Sequence, residues 1–507
     1  MKKTAKEQMS KEQHGKVMFV TSEAYPLIKT GGLADVSHSL TNALHDLGQD
    51  VRLVLPAYRS VLEQVEDLQL LGWIKLGADG DVRVVQAYHP EYRMPIWLVD
   101  APAQFDREGN PYVAEDGNAW PDNARRFTVF SRAAALLGVD VLGLGWRPDV
   151  VHCNDWQSGL VPAFLSQEAS PPTRIYTVHN LAYDCQFDYG EFQALRLPPH
   201  WWSMEHAEFY GNFSLMKAGL VFSDWINTVS PTYAKEICTA EYGYGYAGIL
   251  QSFSYKLRGI LNGIDMDTWD PSADRHLVAH YSADKKKLNG AKRKNRQALL
   301  RELGASEAVI AEEAPLIGSV GRLAYQKGID LLLEAIPRVV EKTDARFVVI
   351  GSGDRNLQHK LQEMQDRYPE RVFTFLGYSE ANAHLLEAGC DMFVMPSRYE
   401  PCGLNQLYSL RYGTVPVVRR TGGLADTVVD ATPESIEEGT ASGFVFESAT
   451  ANSLTEALMR ALEAHADKDL WRQMQRNGMS QDLSWRKSAS HYLDLYRQPP
   501  VSPEQSR

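Results

Sequence analysis

Residues 17–48 read VMFVTSEAYPLIKTGGLADVSHSLTNALHDLG. Four consecutive apolar residues, Val17 to Val20, are followed by a loop rich in small and polar residues. Leu40, Ala43, Leu44 and Leu47 then recur at helical spacing. The order is strand, loop, helix. A short continuous apolar run predicts a strand buried on both faces, as in a parallel sheet covered by helices.

The same rhythm continues outward. Apolar runs at Val51 to Leu55, Val150 to His152 and Ile175 to Val178 each end in a polar or Gly/Pro-containing turn. Leu316 to Val320, Phe347 to Ile350, Val372 to Phe375, Met392 to Met395 and Val415 to Val418 repeat the pattern in the second half. Two such halves predict an α/β chain of two Rossmann-like, doubly wound domains facing each other across a deep cleft. Ligands of these sheets bind outside the carboxyl ends of the strands. The expected layout is a disordered leader over residues 1–15, an N-terminal domain over 16–260 and a C-terminal domain over 261–480. Residues 481–507 form a last helix crossing back to the first domain, plus a tail. The Pro-, Gly-, Asp- and Asn-rich segment 102–123 is expected to be a long loop over a sheet edge.

Composition narrows the function classes. A 507-residue chain with 44% apolar and 23% charged residues builds sizeable cores, and its longest apolar stretches are too short to span a bilayer. A net charge of −12 argues against a nucleic-acid binder, which needs clustered cations. One basic run, Lys285 to Arg296, precedes Leu299, Leu300 and Leu303 and reads as a solvated helix face. Cys153, Cys185, Cys238, Cys390 and Cys402 are odd in number and scattered, so a reducing, cytoplasmic setting is expected. Gly351, Ser352 and Gly353 begin a dinucleotide-like turn, but Asn356 takes the third glycine's place. Neither a GxxxxGK[ST] loop nor an evident metal-ligand cluster is legible, so no metal or cofactor is expected in catalysis.

The hexapeptide TGGLAD occurs twice, at residues 30–35 and 421–426. Glycine pairs permit close approach and unusual backbone angles, so both copies are expected to obey the same local physics. A helix opening just after such a pair aims N–H groups at an anionic or hydroxyl-rich ligand. Arg322 and Lys327 follow the run Leu316 to Val320 and precede a helix, where two cations suit a phosphate. They are also open to reading as surface charges. Glu400, Cys402, Gly403 and Leu404 follow the run ending at Met395: Glu400 serves as a hydroxyl acceptor or simply as an N-terminal helix charge. His179 ends the run Ile175 to Val178 and Asp155 follows Val150 to His152, each structural or functional on position alone. Asn262, before Gly263, binds a hydroxyl or caps a turn.

Seven blocks resemble one family in register. They are KTGGLADV (29–36, after SEAYP), HCNDWQSGL (152–160), TVHNLAY (177–183), VSPTYAKEI (229–237), LNGID (261–265), GRLAYQKGID (321–330) and SRYEPCGLNQL (397–407). The family is that of the bacterial and plant glycogen and starch synthases, glycosyltransferase family 5. The resemblance implies the GT-B fold and retaining transfer of glucose from ADP-glucose to the non-reducing end of an α-1,4-glucan. It implies that Arg322 and Lys327 hold the diphosphate and that Glu400 and His179 lie by the donor glucose. Asp155 then meets sugar hydroxyls, and Lys29, Gly31, Gly32, Asn262, Cys402, Gly403 and Leu404 bind substrate. ADP-glucose and glucan are the expected partners, with no nucleic acid and no membrane. A donor preference for UDP-glucose, a phosphorylase and an inactive glucan-binding homologue are the competing readings. Gly321 departs from the family, where serine is common; its backbone N–H is expected to remain available to phosphate.

Overall fold

The computed structural model describes residues 15–114, 116–283 and 285–501, with no side-chain description at 285–287. The expected leader lies outside the described residues apart from Gly15, whose N–H donates to Gln49 Oε1 at 3.1 Å. Unit 1 comprises the residues through Val229, Ala234–Ile260 and those from Trp485 onward; unit 2 comprises Ser230–Tyr233 and Leu261–Ser484. Unit 2 thus runs to Ser484 rather than to residue 480. It also takes in Ser230–Tyr233, because Thr232 donates its N–H and hydroxyl to the Asp426 carboxylate at 2.9 and 2.7 Å.

Unit 1 is built on β1 (Lys16–Val20), β2 (Asp50–Pro56), β3 (Glu66–Lys75), β4 (Asp81–Tyr88), β5 (Ile96–Asp100), β6 (Val150–Asn154) and β7 (Thr173–Val178). A three-stranded ribbon of β8 (Gln186–Phe187), β9 (Glu208–Phe209) and β10 (Asn212–Ser214) precedes β11 (Trp225–Thr228) and β12 (Leu257–Gly259). The main sheet has the order β12-β11-β7-β6-β1-β2-β5-β4-β3. It is parallel except at one edge, where β3, β4 and β5 pair antiparallel. The expected all-parallel sheet is corrected there: β3 is largely exposed and its polar sequence lacks the apolar run of a covered strand.

Helix Gly32–Asp46 buries Leu33, Ala34, Val36, Leu40, Ala43 and Leu44, the residues at helical spacing. The last helix, Trp485–Tyr496, packs beside it within unit 1. The Tyr496 hydroxyl lies 2.6 Å from His152 Nδ1 on β6, and His152 Nε2 lies 2.7 Å from Thr177 Oγ1 on β7. Burial holds the His152 ring neutral, with its pKa lowered to about 3. The helix is therefore fastened to the sheet by a neutral hydrogen-bond chain.

Unit 2 contains β13 (Leu316–Val320), β14 (Arg346–Gly351), β15 (Val372–Leu376), β16 (Met392–Met395), β17 (Val415–Arg419) and β18 (Phe444–Phe446), ordered β15-β14-β13-β16-β17-β18 and parallel throughout. Alternate residues enter opposite cores. Ile317, Phe347 and Val349 pack with helices Ile329–Val340 and Ala451–Ala466, while Leu316, Val348 and Ile350 pack with helices Lys285–Glu302 and Glu380–Gly389. Two covered faces account for the continuous apolar strands.

The basic run is the solvated face expected only in part: Arg293 and Lys294 are exposed, whereas Lys292 and Arg296 turn inward. Lys292 is buried, its Nζ donating to Thr414 Oγ1 at 2.7 Å and to the carbonyls of Glu387 and Tyr412 at 3.4 and 3.3 Å. Arg296 pairs with Asp391 and donates to the Gly389 and Ala314 carbonyls. Among the described residues, no helix is long and apolar enough to cross a membrane.

Strand order creates a switch point in each unit. The chain leaves β1 toward β2 on one side and reaches β6 on the other; β13 is likewise flanked by β14 and β16. At such a place the loops leaving the two strands part, opening a crevice at their carboxyl ends.

Candidate functional site

In unit 1 the crevice beside β1 and β6 is organised by Glu23, a residue the sequence reading did not single out. Glu23 is buried and its carboxylate accepts the Thr30 N–H at 2.6 Å, the Thr30 hydroxyl at 2.5 Å and the Gly31 N–H at 3.0 Å. Tyr112 donates its hydroxyl to Glu23 Oε1 at 2.8 Å. Charge-assisted bonds of this kind contribute about 1.5–3 kcal/mol each, enough to fix the loop backbone before helix Gly32–Asp46. The helix begins without a side-chain cap. Lys29 is partly exposed and pairs with Asp35 at 2.8 Å.

Tyr112 belongs to the segment read only as a loop. Buried Arg126 holds that loop, donating to the carbonyls of Gln104 and Pro111 at 2.8 Å each and to Asn123 Oδ1 at 2.7 Å. The hold passes from Arg126 through the loop to Tyr112, Glu23 and the TGG turn.

Asp155 follows β6 with φ of 53°, a left-handed conformation costly for a residue with a Cβ. It brings a carboxylate oxygen to the His179 N–H at 2.8 Å. Burial and the nearby Glu23 charge raise its pKa to about 7, against the opposing effect of bonds from the His179 and Asn180 N–H groups. Its geometry serves the His179 peptide directly. His179 Nε2 lies 2.9 Å from Asn154 Oδ1, and the Asn154 amide donates to the Val20 carbonyl at 3.0 Å. That second bond identifies Oδ1 as the acceptor, so His179 carries its proton on Nε2. Burial lowers the His179 pKa to about 3, leaving a neutral ring.

In unit 2, Arg322 and Lys327 line one pocket at the carboxyl ends of β13 and β16, and Glu400 reaches Lys327 there. Lys327 Nζ lies 2.6 Å from Glu400 Oε2, and Ser397 donates its hydroxyl to the same oxygen at 3.0 Å. Expected to serve separate duties, these two charges pair with each other in the structure. Arg322 is exposed and donates to Gln326 Oε1 at 3.1 Å, and among the described residues no carboxylate pairs with it. A pocket there is lined by Ser319, Arg322, Lys327, Met395 and Asn405. The Gly321 N–H donates to the Ile350 carbonyl at 3.0 Å, which corrects the expectation that it remains available to phosphate.

Cys402 is buried and its thiol pKa is pushed up to about 12, chiefly by burial, which disfavours a nucleophilic thiolate. The Asn262 N–H points at that sulfur, and Asn262 Oδ1 is buried without a hydrogen-bond partner. Gly403 has φ of +73°, and Leu404 starts helix Asn405–Arg411, which has no side-chain cap.

The two TGGLAD copies follow different physics, against expectation. A Cβ on Gly31 or Gly32 would meet nothing within 4 Å. A Cβ on Gly422 would lie 1.9 Å from the Glu400 carbonyl oxygen, and one on Gly423 would lie 2.1 Å from that of Cys402. Gly422 also has φ of +43°. The second copy is an internal support for the Glu400 turn; the first leaves open space.

Two family models match: a starch synthase catalytic domain over residues 16–252 and glycosyl transferases group 1 over residues 303–481. The glycogen synthase of Thioalkalivibrio sulfidiphilus is 51% identical over 484 residues, 95% of this chain and 99% of that protein. That of Hydrogenovibrio crunogenus is 49% identical over 488 residues, with 95% and 99% covered. Among solved structures, the catalytic domain of starch synthase IV from Arabidopsis thaliana, bound to ADP and acarbose, aligns with a TM-score of 0.84 at 33% identity, covering 96% of this chain and 99% of that one. Sucrose-phosphate synthase from Thermosynechococcus elongatus aligns at 0.59 with 17% identity over 96% of this chain and 99% of that chain, a likeness of fold alone.

The glycine contrast predicts a difference in thermal denaturation. Gly423→Ala should lose about 1–3 kcal/mol through overlap, whereas Gly31→Ala and Gly32→Ala should stay within about 0.5 kcal/mol of the parent. Equal losses at both copies would contradict the distinction.

Proposed function

The chain belongs to the glycogen and starch synthase family, glycosyltransferases of two α/β units that build glucan, and on that premise we propose that its donor is ADP-glucose. In this reading it transfers glucose with retention to the non-reducing 4-hydroxyl of an α-1,4-glucan. The observation that carries it is the charge arrangement at β13 and β16: Arg322 unpaired by any described carboxylate, five residues before Lys327. The diphosphate gains negative charge as it departs. Fixed cations at that place stabilise the transition state more than the ground state.

The remaining residues take roles that their geometry supports. Lys327 exchanges its contact with Glu400 for phosphate, freeing the Glu400 carboxylate to accept glucose hydroxyls. Asp155 is a positioning residue that holds the His179 peptide. The neutral His179 ring avoids placing another full positive charge by the developing oxocarbenium ion. Lys29 supports donor binding. Attack and departure on the same face need no protein nucleophile, and the buried Cys402 thiol is unsuited to that task. The starch synthase relative was solved with ADP, which supports the adenine nucleotide as donor carrier. Catalysis uses no metal, because the two side-chain cations meet the phosphate charge. We place the reaction in the cytoplasm, in keeping with five free cysteines.

The direct test is donor competition on purified protein with short maltooligosaccharides. ADP-glucose should exceed UDP-glucose in kcat/KM by at least about tenfold, a difference of about 1.4 kcal/mol, and chelator should leave turnover unchanged. Preference for UDP-glucose, or chelator loss restored only by a divalent ion, would overturn the donor and metal assignments respectively.

Variants should separate the roles. Arg322→Ala should cut kcat by about 100-fold with unchanged Tm, while Lys327→Ala should lower kcat and Tm together because it strands the buried Glu400. Lys29→Ala should chiefly raise KM for donor. A pH profile reads Asp155: its carboxylate is ionised above its pKa of about 7, so kcat/KM should fall as pH drops below that value. Asp155→Asn should be less active and lack this acid limb. Retention of the same limb would assign it to another group.

A further inference from the structure

A cluster remote in sequence from the motifs gathers on unit 2. We propose that His276, Glu380 and His384 bind a divalent transition-metal ion, zinc foremost, at a site outside the glucosyl-transfer chemistry. The sequence shows no metal-ligand spacing here, because His276 lies on a loop far from the helix Glu380–Gly389 that carries the other two. Folding brings their candidate ligand atoms within 4.8 Å of one another.

His384 supplies the strongest argument. It is buried, and its Nδ1 lies 2.7 Å from Asp274 Oδ2. Asp274 also accepts the Tyr412 hydroxyl at 2.6 Å and the His276 N–H at 2.8 Å. Asp274 Oδ2, already the acceptor of the Tyr412 hydroxyl, also accepts the proton on His384 Nδ1, so Nε2 presents a lone pair. That nitrogen is buried with no hydrogen-bond partner. Leaving such an acceptor unsatisfied is costly, and a metal satisfies it.

The surroundings fit a ligand set. A carboxylate bonded to the far nitrogen of a histidine fixes the tautomer and raises basicity, the usual outer support of a metal-bound imidazole. Trp269 stacks on the His384 ring at 3.8 Å and 11°, which keeps the ring from turning. Glu380 stands four residues before His384 on one helix face. The His276 ring lies 4.7 Å from that of His384, and its Nε2 lies 4.0 Å from Glu380 Oε1. An ordinary ion pair would explain His276 and Glu380 but not the lone pair on His384.

Two imidazoles and one carboxylate favour zinc-like ions over magnesium or calcium, which prefer oxygen ligands. Bond lengths of about 2.0–2.2 Å require the three atoms to draw closer than they are without metal. Glu380 and His276 are free to move inward, with side chains 43% and 21% exposed. A bound ion would tie the segment around Asp274 and His276 to helix Glu380–Gly389.

The test uses full-length protein stripped with chelator, then titrated with zinc chloride by calorimetry and followed by thermal denaturation. One zinc per chain should bind, raising Tm by about 5 °C at a hundredfold excess over Kd; magnesium chloride should not reproduce the rise. Cobalt(II) in its place should give the visible bands of a low-symmetry nitrogen and oxygen site. The double variant His276→Gln/Glu380→Gln alters accessible positions and should keep the stripped protein's Tm. It should lose zinc affinity by at least about tenfold and lose the Tm gain. Absence of zinc binding by the parent, or equal binding by the variant, would overturn the site. Glucosyl-transfer assays do not enter this test, so its outcome is independent of the donor assignment.

Discussion

A parallel sheet that is built by right-handed crossovers and covered by helices on both faces must reverse its direction of growth somewhere, and the functional geometry of this chain depends on where it does so. In unit 1 the reversal lies between β1 and β6; in unit 2 it lies between β13 and β16. The loops leaving those strands part on opposite faces of the sheet. Glu23, Lys29 and Asp155 follow one strand pair, and Arg322, Lys327 and Glu400 follow the other. Each set needs no special scaffold beyond strand order.

Buried carboxylates then turn loose loops into defined surfaces. Glu23 gathers two N–H groups and two hydroxyls, while Glu400 takes Lys327 and Ser397. The first fixes a backbone and leaves space outside it. The second stores a cation beside the place where phosphate is expected, with its own turn propped from behind by Gly422 and Gly423. A common hexapeptide therefore borders open space in one unit and is packed internally in the other.

Much of the fold was legible because strands covered on both faces are short apolar runs, and β1, β2, β6, β7 and β13 to β17 all have them. β3 was not, since an exposed edge strand with register shifts carries no such run. β18 is only three residues long. Motif residues could be named from chemistry and family resemblance, but their partners could not. Glu23 lay within the quoted SEAYP block, and a carboxylate just beyond a strand end was the available signal. Tyr112 gave none, because its role exists only once Arg126 has fixed the loop. The inward turn of Lys292 and Arg296 was hidden for the same reason: a charge run does not reveal which carbonyls will face it. His276 illustrates the limit most clearly, since only tertiary folding places it beside His384.

The central claim is that the β13/β16 switch point is the donor's phosphate site, with Lys327 changing partner on binding. A crystal structure of the chain with ADP and a maltooligosaccharide tests it most directly. The account predicts the diphosphate within hydrogen-bond distance of Arg322 and Lys327, with the 2.6 Å contact between Lys327 and Glu400 broken. A diphosphate bound elsewhere, with that ion pair intact, would contradict it.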